Sequence, residues 1–150
     1  MRVVLQRVSE AAVKVDGKVV GEISTGFLVL LGVEADDTEE DVEWLTKKVI
    51  SMRIFNDESG LMNKSIEDIN GRFLVISQFT LHAATKKGNR PSFIRAARPE
   101  QAIPLYEKFI RMLELQTNRP VEHGIFGADM KVSLVNDGPV TIVMDSKVKE

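Results

Sequence analysis

A short stretch in the middle of the sequence, residues 74–81, constrains the fold more than any other. It begins with the apolar run Leu74-Val75-Ile76 and turns polar at Ser77, Gln78 and Thr80. The apolar run predicts a buried strand. Because buried polar groups need hydrogen-bonding partners or a chemical purpose, the polar residues predict a structural or catalytic role at the end of that strand.

The first part of the chain predicts three strands and a helix. Met1 to Ser9 is rich in aliphatic residues, and Asp16-Gly17 between two short apolar segments is typical of a two-residue hairpin turn. Gly26 to Val33 is almost entirely apolar, which indicates a central strand. A helix is expected after Thr38, a suitable N-cap followed by three acidic residues. Its apolar positions recur at helical spacing: Val42, Leu45, Val49 and Met52.

The second part predicts a short strand at Arg53–Phe55, a helix over Glu100–Leu115 with Pro104 in its first turn, and three closing strands. The closing strands are expected at Val121–Ile125, Met130–Val135 and Val140–Met144, with Asn136-Asp137-Gly138-Pro139 linking the last two. Between them, His82 to Arg98 is expected to be irregular, and long irregular segments are usually functional or disordered. This order predicts a single α/β domain over residues 1–150, with a mixed β-sheet or partial barrel and two helices on one side.

Composition narrows the function classes. The net charge of −2 does not suit a wholly basic nucleic-acid binder, and no apolar run approaches the roughly 18 residues of a membrane span. Cysteine is absent, so disulfide and thiolate chemistry are impossible. The expected compartment is the cytoplasm. A local basic segment between Leu81 and Pro99 carries no acid and is able to hold phosphates, although a solvated loop explains it equally well: Lys86, Lys87, Arg90, Arg95 and Arg98.

Several common catalytic patterns are missing. The sequence has no Gly-rich dinucleotide fingerprint, no phosphate loop and no Gly-x-Ser-x-Gly elbow. The two histidines, His82 and His123, have no carboxylates at metal-ligand spacing, so neither a metal site nor a cofactor is predicted. Each histidine is expected to be a surface residue or one whose hydrogen bonds are satisfied.

Two polar motifs gain meaning as a pair. Ser-Gln-Phe-Thr-Leu at 77–81 and Asn-x-Gly-Pro-Val-Thr at 136–141 resemble the signature motifs of D-aminoacyl-tRNA deacylases. Residues 1–9 resemble the N-terminus of that family, residues 87–93 its central loop, and residues 124–130 its substrate-pocket strand. The resemblance extends over essentially the whole chain.

The resemblance implies a cytoplasmic homodimer that hydrolyses the ester between a D-amino acid, or glycine, and the terminal adenosine of tRNA. Its active sites are expected at the subunit interface. The Gly138-Pro139 peptide is expected to be cis and to reach into the partner's site, where its carbonyls exclude L side chains. Phe126 and Met130 match positions of the adenine pocket, and Arg7 matches an arginine that steadies the Gly-Pro loop.

The catalytic candidates are Ser77, Gln78, Phe79 and Thr80. Ester hydrolysis passes through an oxyanion, which the N–H groups of Phe79 and Thr80, the Gln78 amide and the Ser77 hydroxyl are placed to stabilise. Thr80 is an alternative nucleophile, but the sequence shows no general base beside it, and we expect water to attack. The resemblance implies that the tRNA 2′-hydroxyl replaces that base.

Lys86, Lys87 and Arg90 are candidates for contacts with the tRNA acceptor stem. Two alternative functions stay open from the sequence. One is a non-catalytic module that binds an RNA end or a nucleotide. The other is an esterase for D-amino acids or peptides that does not need tRNA.

Overall fold

The computed structural model describes all 150 residues, from Met1 to Glu150. It contains eight strands, two α-helices and one 3₁₀ turn. The elements in chain order are β1 (Arg2–Val15), β2 (Lys18–Ile23), β3 (Gly26–Gly32), α1 (Glu39–Ser51), β4 (Phe55–Asn56), β5 (Met62–Lys64), β6 (Arg72–Ser77), the 3₁₀ turn (Phe79–His82), α2 (Pro99–Thr117), β7 (Glu122–His123) and β8 (Lys131–Asp145).

The sheet is organised around β1. One edge of β1 pairs antiparallel with β3 and then with β2, while the other edge pairs antiparallel with β8. Beyond β3, the sheet continues through parallel pairing with β6 and then β7. β7 returns close to β2, since a Cβ placed on Gly21 would lie 2.9 Å from the His123 carbonyl oxygen. The result is the predicted α/β fold, with a nearly closed mixed barrel.

Two apolar cores occupy the two faces of this sheet. Successive side chains of a strand point to opposite faces, so β3 sends Phe27, Val29 and Leu31 toward the helices and Leu28 into the barrel. This burial on both sides explains why β3 is apolar almost throughout. The prediction of a central strand here is confirmed.

The first helix begins where the sequence predicted. Thr38 is the N-cap, and its N–H donates to the Asp41 carboxylate at 2.8 Å. Burial of Asp41 by itself raises its pKa, but hydrogen bonds from Ser146, Thr38 and Lys147 outweigh that effect and lower the pKa to about 2. The carboxylate is therefore charged at neutral pH and interacts favourably with the positive, N-terminal end of the helix dipole.

The end of the chain differs from the prediction. The two strands expected at 130–135 and 140–144 form one continuous strand, β8, along the same edge of β1. Gln6 pairs with Thr141 and Val8 pairs with Asn136, so a single residue of β1 lies opposite residues 137–140. The Asn-Asp-Gly-Pro sequence therefore makes a bulge within a strand rather than a hairpin turn.

Other element boundaries also move. The short strand expected at Arg53–Phe55 begins only at Phe55 and pairs with β5. β5 was not predicted, because it is mainly polar and lacks the alternation of apolar residues that marks a strand. α2 begins at Pro99, since proline suits the first helical position, and Pro104 therefore lies in the second turn instead of the first. The strand expected at Val121–Ile125 is reduced to β7, and residues 124–130 form a loop rather than a strand.

Candidate active site

The strand that carries the first signature motif ends at Ser77. Ser77 lies beside Leu31 of β3, and the Gln78 N–H donates to the Leu31 carbonyl at 2.8 Å. The chain then enters the 3₁₀ turn, whose first internal donor is the Leu81 N–H, bonded to the Gln78 carbonyl at 3.2 Å. The N–H groups of Phe79 and Thr80 precede that donor, so they have no acceptor within the turn.

Phe79 and Thr80, the first two residues of this turn, have exposed side chains, whereas His82 at its end is buried. The Gln78 amide donates to the Thr80 hydroxyl at 2.5 Å, and no histidine or carboxylate bonds to that hydroxyl. The exposed Phe79 ring meets the Phe93 ring edge-on, with 5.1 Å between centroids. The geometry therefore gives Thr80 a neutral amide as its partner and gives it no general base.

A cavity of about 290 Å³ opens beside this turn. Its lining includes Ser77, Gln78 and Phe79 from the end of β6 and the following turn, and Phe126 and Met130 from the loop before β8. The structure thus brings together five of the residues selected from the sequence, whereas Thr80, Gly138 and Pro139 do not line it. The remaining lining is mainly apolar: Leu31, Val33, Ile76, Ala97, Ala102, Tyr106, Gly127, Ala128, Asp129 and Val132.

The loop that carries Phe126 and Met130 packs closely against the barrel. A Cβ placed on Gly124 would lie 3.2 Å from Ile76 Cδ1 of β6 and would overlap the Met130 sulfur, so a larger residue there would displace the Met130 side chain. Phe126 packs edge-on against Tyr106, with 5.7 Å between ring centroids. The loop thus contributes an aromatic ring and a thioether to the lining of the cavity.

Tyr106 is a cavity residue that the sequence did not single out. It is buried on α2, and its hydroxyl donates to the Val75 carbonyl at 3.3 Å. Burial, with a contribution from Glu107, raises the Tyr106 pKa to about 12, so its hydroxyl stays neutral. It is the only tyrosine in the chain, but its position beside the apolar stripe of α2 resembled that of an ordinary core residue.

The second signature motif forms the bulge of β8. The Gly138-Pro139 peptide bond is cis. On one side of it, buried Arg7 donates from Nε to the Asp137 carbonyl at 2.8 Å and from Nη1 to the Ile54 carbonyl at 2.7 Å. On the other side, the Asn136 side chain accepts from the Val140 N–H at 2.9 Å.

The bulge and the cavity lie at opposite ends of β3. Arg7, which contacts the bulge, pairs with Phe27, whereas Ser77 at the cavity pairs with Leu31. Four residues of an extended strand span roughly 13 Å. A single copy of the chain therefore does not bring Gly138 and Pro139 to its own cavity.

The irregular segment begins one residue later than the predicted His82–Arg98, because His82 belongs to the 3₁₀ turn. Residues 83–98, which we call the basic segment, contain no helix or β-strand and only isolated β-bridges. Lys86, Lys87 and Arg90 are exposed and form no salt bridge. Arg95 differs from them because it pairs with the carboxylate of Glu34. The packing of Phe93 on Phe79 attaches this segment to the edge of the cavity.

The two histidines have different environments. His123 is exposed, whereas His82 is buried and one of its ring nitrogens has no hydrogen-bonding partner. The expectation of a surface or fully satisfied residue is therefore wrong for His82. No group of three or more His, Asp or Glu side chains is arranged to hold a metal ion. Neither helix has the length and apolar character needed to cross a membrane.

A family model and full-length relatives indicate one protein family. The family model described as D-Tyr-tRNA(Tyr) deacylase matches residues 4–145. Proteins named D-aminoacyl-tRNA deacylase from Cytophaga hutchinsonii and Flavobacterium johnsoniae are 61% and 59% identical, over the full length of both chains in each case. The solved structure of a protein named c-Myc DNA unwinding element binding protein is 42% identical, with a TM-score of 0.91 over 97% of this chain and 98% of that one. The chain belongs to the D-Tyr-tRNA(Tyr) deacylase family.

Proposed function

We propose that this chain hydrolyses the ester bond of D-aminoacyl-tRNA and releases the free D-amino acid and the tRNA. The observation that carries the proposal is the cavity, because its lining is suited to a nucleobase and it opens beside a turn whose first two N–H groups have no acceptor within the turn. The family match and the names of the full-length relatives support the same activity.

Phe126 and Met130 are proposed to contact the terminal adenine. An aromatic ring and a polarizable thioether are suitable partners for the face of a base. Tyr106 packs edge-on against Phe126. Because the Tyr106 pKa is raised to about 12, its hydroxyl stays neutral and adds no charge beside the base. The adenine is thereby held at one end of the cavity, and the ester is directed toward the 3₁₀ turn.

The N–H groups of Phe79 and Thr80 are proposed to stabilise the oxyanion that forms when water attacks the ester carbonyl. Fixed donors directed at the developing charge are among the strongest contributors to ester hydrolysis. Gln78 holds the Thr80 side chain, and Ser77 completes the polar end of the cavity. Because no basic group contacts Thr80, the 2′-hydroxyl of the terminal ribose is proposed to assist the attacking water.

Stereoselectivity is proposed to come from a second copy of the chain. In a homodimer, Gly138-Pro139 of one subunit would enter the partner's cavity, where backbone carbonyls leave no space for an L side chain and glycine still fits. This arrangement is supported by the separation between the bulge and the cavity of the same chain. It is also supported by the hydrogen bonds from Arg7 and to Asn136 that hold the bulge in place. The long strand β8 pairs only with β1, and an open edge of this length is usually covered.

The exposed cations Lys86, Lys87 and Arg90 are proposed to contact the phosphates of the acceptor stem. They are attached to the cavity through Phe93 and Phe79, so RNA bound there would lie next to the ester. The tRNA substrate makes the cytoplasm the proposed compartment, and the chemistry described requires no cofactor.

The activity is tested by incubating the protein with D-Tyr-tRNA and L-Tyr-tRNA and measuring the amino acid that is released. We expect release of D-Tyr alone, and loss of release when the terminal ribose lacks its 2′-hydroxyl. Pro139→Ala is expected to permit release of L-Tyr. Unchanged stereoselectivity in folded Pro139→Ala protein would contradict the role of the Gly-Pro peptide.

The contribution of a partner subunit is tested by mixing two variants. Pro139→Ala chains are mixed one to one with Phe126→Asp chains, which lack the proposed stacking ring and carry a charge in a mainly apolar pocket, so that they should not bind the base. If the Gly-Pro peptide acts on the partner's cavity, L-Tyr release per Pro139→Ala chain should fall by about half, since half of these chains then face an intact proline. Release unaffected by mixing would indicate that each chain filters its own substrate.

A second candidate is a nucleic-acid-binding module without turnover. It is favoured by the 42% identical solved structure, because the name of that protein describes it as binding a DNA unwinding element. Binding of D-Tyr-tRNA without release of tyrosine would support this module. Equal cleavage of D-Tyr-tRNA and a small D-tyrosine ester would instead support an esterase that does not need tRNA.

A further inference from the structure

Three residues outside the candidate site connect the 3₁₀ turn to the basic segment. They are His82 at the end of the turn, Glu34 after β3 and Arg95 in the basic segment. His82 and Glu34 have almost no exposed side-chain surface, whereas 59% of the Arg95 side chain is exposed. The three side chains therefore form a continuous path from the interior beneath the turn to the surface.

His82 anchors the turn to β3. Its Nε2 lies 3.1 Å from the Gly32 carbonyl oxygen, which accepts only, so Nε2 carries the hydrogen and donates. The turn packs tightly at this point, because a Cβ placed on Gly32 would lie 3.1 Å from the His82 ring and 2.9 Å from the Gln78 carbonyl oxygen. A displacement of His82 would therefore move the residues that carry the Phe79 and Thr80 N–H groups.

The other nitrogen of His82 has no partner. Nδ1 is buried, makes no hydrogen bond, and lies 3.9 Å from a carboxylate oxygen of Glu34. That distance is too long for a hydrogen bond, which requires about 2.8–3.0 Å. A buried nitrogen without a partner beside a buried carboxylate is uncommon. A third group is therefore expected to hold the Glu34 carboxylate away from His82 Nδ1.

Arg95 is the group that holds Glu34. Its Nε donates to Glu34 Oε1 at 2.6 Å, and its Nη2 also pairs with that oxygen. The backbone reinforces this pair, since the Ala35 N–H donates to the Arg95 carbonyl at 3.0 Å and the Ala97 N–H to the Val33 carbonyl at 2.9 Å. The Glu34 carboxylate is thus neutralised on the side away from His82.

We propose that Glu34 and Arg95 are positioning residues that keep His82, and with it the 3₁₀ turn, in the geometry that ester hydrolysis requires. Without Arg95, Glu34 is a buried carboxylate without a cation, an arrangement that proteins avoid. The neighbouring His82 Nδ1 then becomes its partner, with one proton from solvent shared between the two groups. Closing 3.9 Å to a hydrogen bond moves the groups by about 1 Å.

The experiment compares Arg95→Met with Arg90→Met, and its kinetic part rests on the proposed deacylase activity. Both residues are exposed cations of the basic segment, but only Arg95 has a buried partner. Arg95→Met is expected to lower kcat for D-Tyr-tRNA about tenfold, because a shift of about 1 Å costs up to a hundredfold in such sites. Arg90→Met is expected to raise KM and leave kcat unchanged.

A second substitution tests Glu34 as the connecting group. The double variant Arg95→Met with Glu34→Gln removes the unpaired charge, so kcat is expected to return toward the wild-type value. A loss of kcat that persists in the double variant would show that Glu34 does not carry the effect. If Arg95→Met changes KM alone, Arg95 acts only by binding phosphate of the tRNA, and the proposal is wrong.

Amide resonances provide a measurement that does not depend on activity. In the unliganded protein, the Phe79 and Thr80 amide resonances are expected to shift in Arg95→Met, to return in the double variant, and to stay unchanged in Arg90→Met. Unmoved amides in Arg95→Met would refute the positioning role even if the wild-type protein hydrolyses D-Tyr-tRNA. If the wild-type protein is inactive, the proposed function fails, and the amide shifts alone still decide the positioning role.

Discussion

Arg7 is the residue whose removal should affect both stability and stereoselectivity. It is only 7% exposed and donates two charge-assisted hydrogen bonds to the carbonyls of Asp137 and Ile54. Its longer contacts are with Asn56 Oδ1 at 3.4 Å and the Asp137 carboxylate at 3.9 Å. In Arg7→Met, the Asp137 carbonyl belongs to an exposed residue and regains water, whereas Ile54 is buried and its carbonyl stays unsatisfied. A buried unsatisfied acceptor costs about 1–3 kcal/mol, and each lost bond to a charged donor about 1.5–3 kcal/mol.

These losses are offset in part because the substitution also removes the desolvation cost of a buried charge. The net decrease in the free energy of unfolding is therefore expected at about 2–4 kcal/mol. Urea unfolding followed by circular dichroism measures this quantity. Lys14→Met is the matched control, since Lys14 lies on the same strand, is exposed, and forms no salt bridge; we expect it to change stability by less than about 0.5 kcal/mol.

The same variant should change substrate choice, because Arg7 supports the peptide that is proposed to exclude L side chains. Arg7→Met is expected to release L-Tyr from L-Tyr-tRNA at a measurable rate, and Lys14→Met to release none. Arg7→Lys, which is able to keep one of the two bonds, should fall between wild type and Arg7→Met in both measurements. Wild-type stability together with wild-type stereoselectivity in Arg7→Met would refute this reasoning.

Three further outcomes are expected. Thr80→Ala should keep activity within about tenfold of wild type because its N–H remains; loss of more than about a thousandfold at unchanged KM would identify Thr80 as a nucleophile. Phe126→Ala should raise KM for D-Tyr-tRNA about tenfold, the effect of losing one base-stacking partner; unchanged KM would exclude that contact. The Asp41 pKa is lowered from 3.8 to about 2, so its ionised form should contribute about 1–2 kcal/mol to the free energy of unfolding, after allowance for solvent screening. This contribution should be present above pH 4 and lost as the pH falls toward 2. Acid titration of stability in Asp41→Asn should lack this loss.

The elements that could be predicted are those with local signals. The Asp16-Gly17 turn, the apolar strand β3 and the capped start of α1 each depend on residues that are neighbours in sequence. The continuity of β8 depends instead on pairing with β1, more than a hundred residues away. A hairpin and a bulge both accept Asn-Asp-Gly-Pro, so no local property of that segment separates the two outcomes.

The candidate site shows the same division. Of the polar residues that the sequence places at the end of the apolar strand, Ser77 and Gln78 line the cavity and Thr80 does not, whereas Phe126 and Met130 were found only through the resemblance of their segment to a family. The contribution of Tyr106 was missed, because a helical tyrosine beside an apolar stripe is equally suited to a core. The unsatisfied nitrogen of His82 also has no sequence signal, since it arises from the position of Glu34 across the turn.

If the Gly138-Pro139 peptide acts on a cavity as proposed, the position of the bulge requires two copies of the chain in one functional unit. Within one copy, the distance between Gly138-Pro139 and the cavity is fixed by the paired strands β1 and β3, and these strands carry the largest core of the protein. Closing the two sites onto each other would break that pairing, which costs far more than loop motion. In a two-fold symmetric dimer the β1–β3 pairing would stay intact, because the peptide of each subunit would reach the cavity of the other without movement inside either chain. A rigid peptide is also the better filter, since steric exclusion of an L side chain works only if the excluding atoms do not yield.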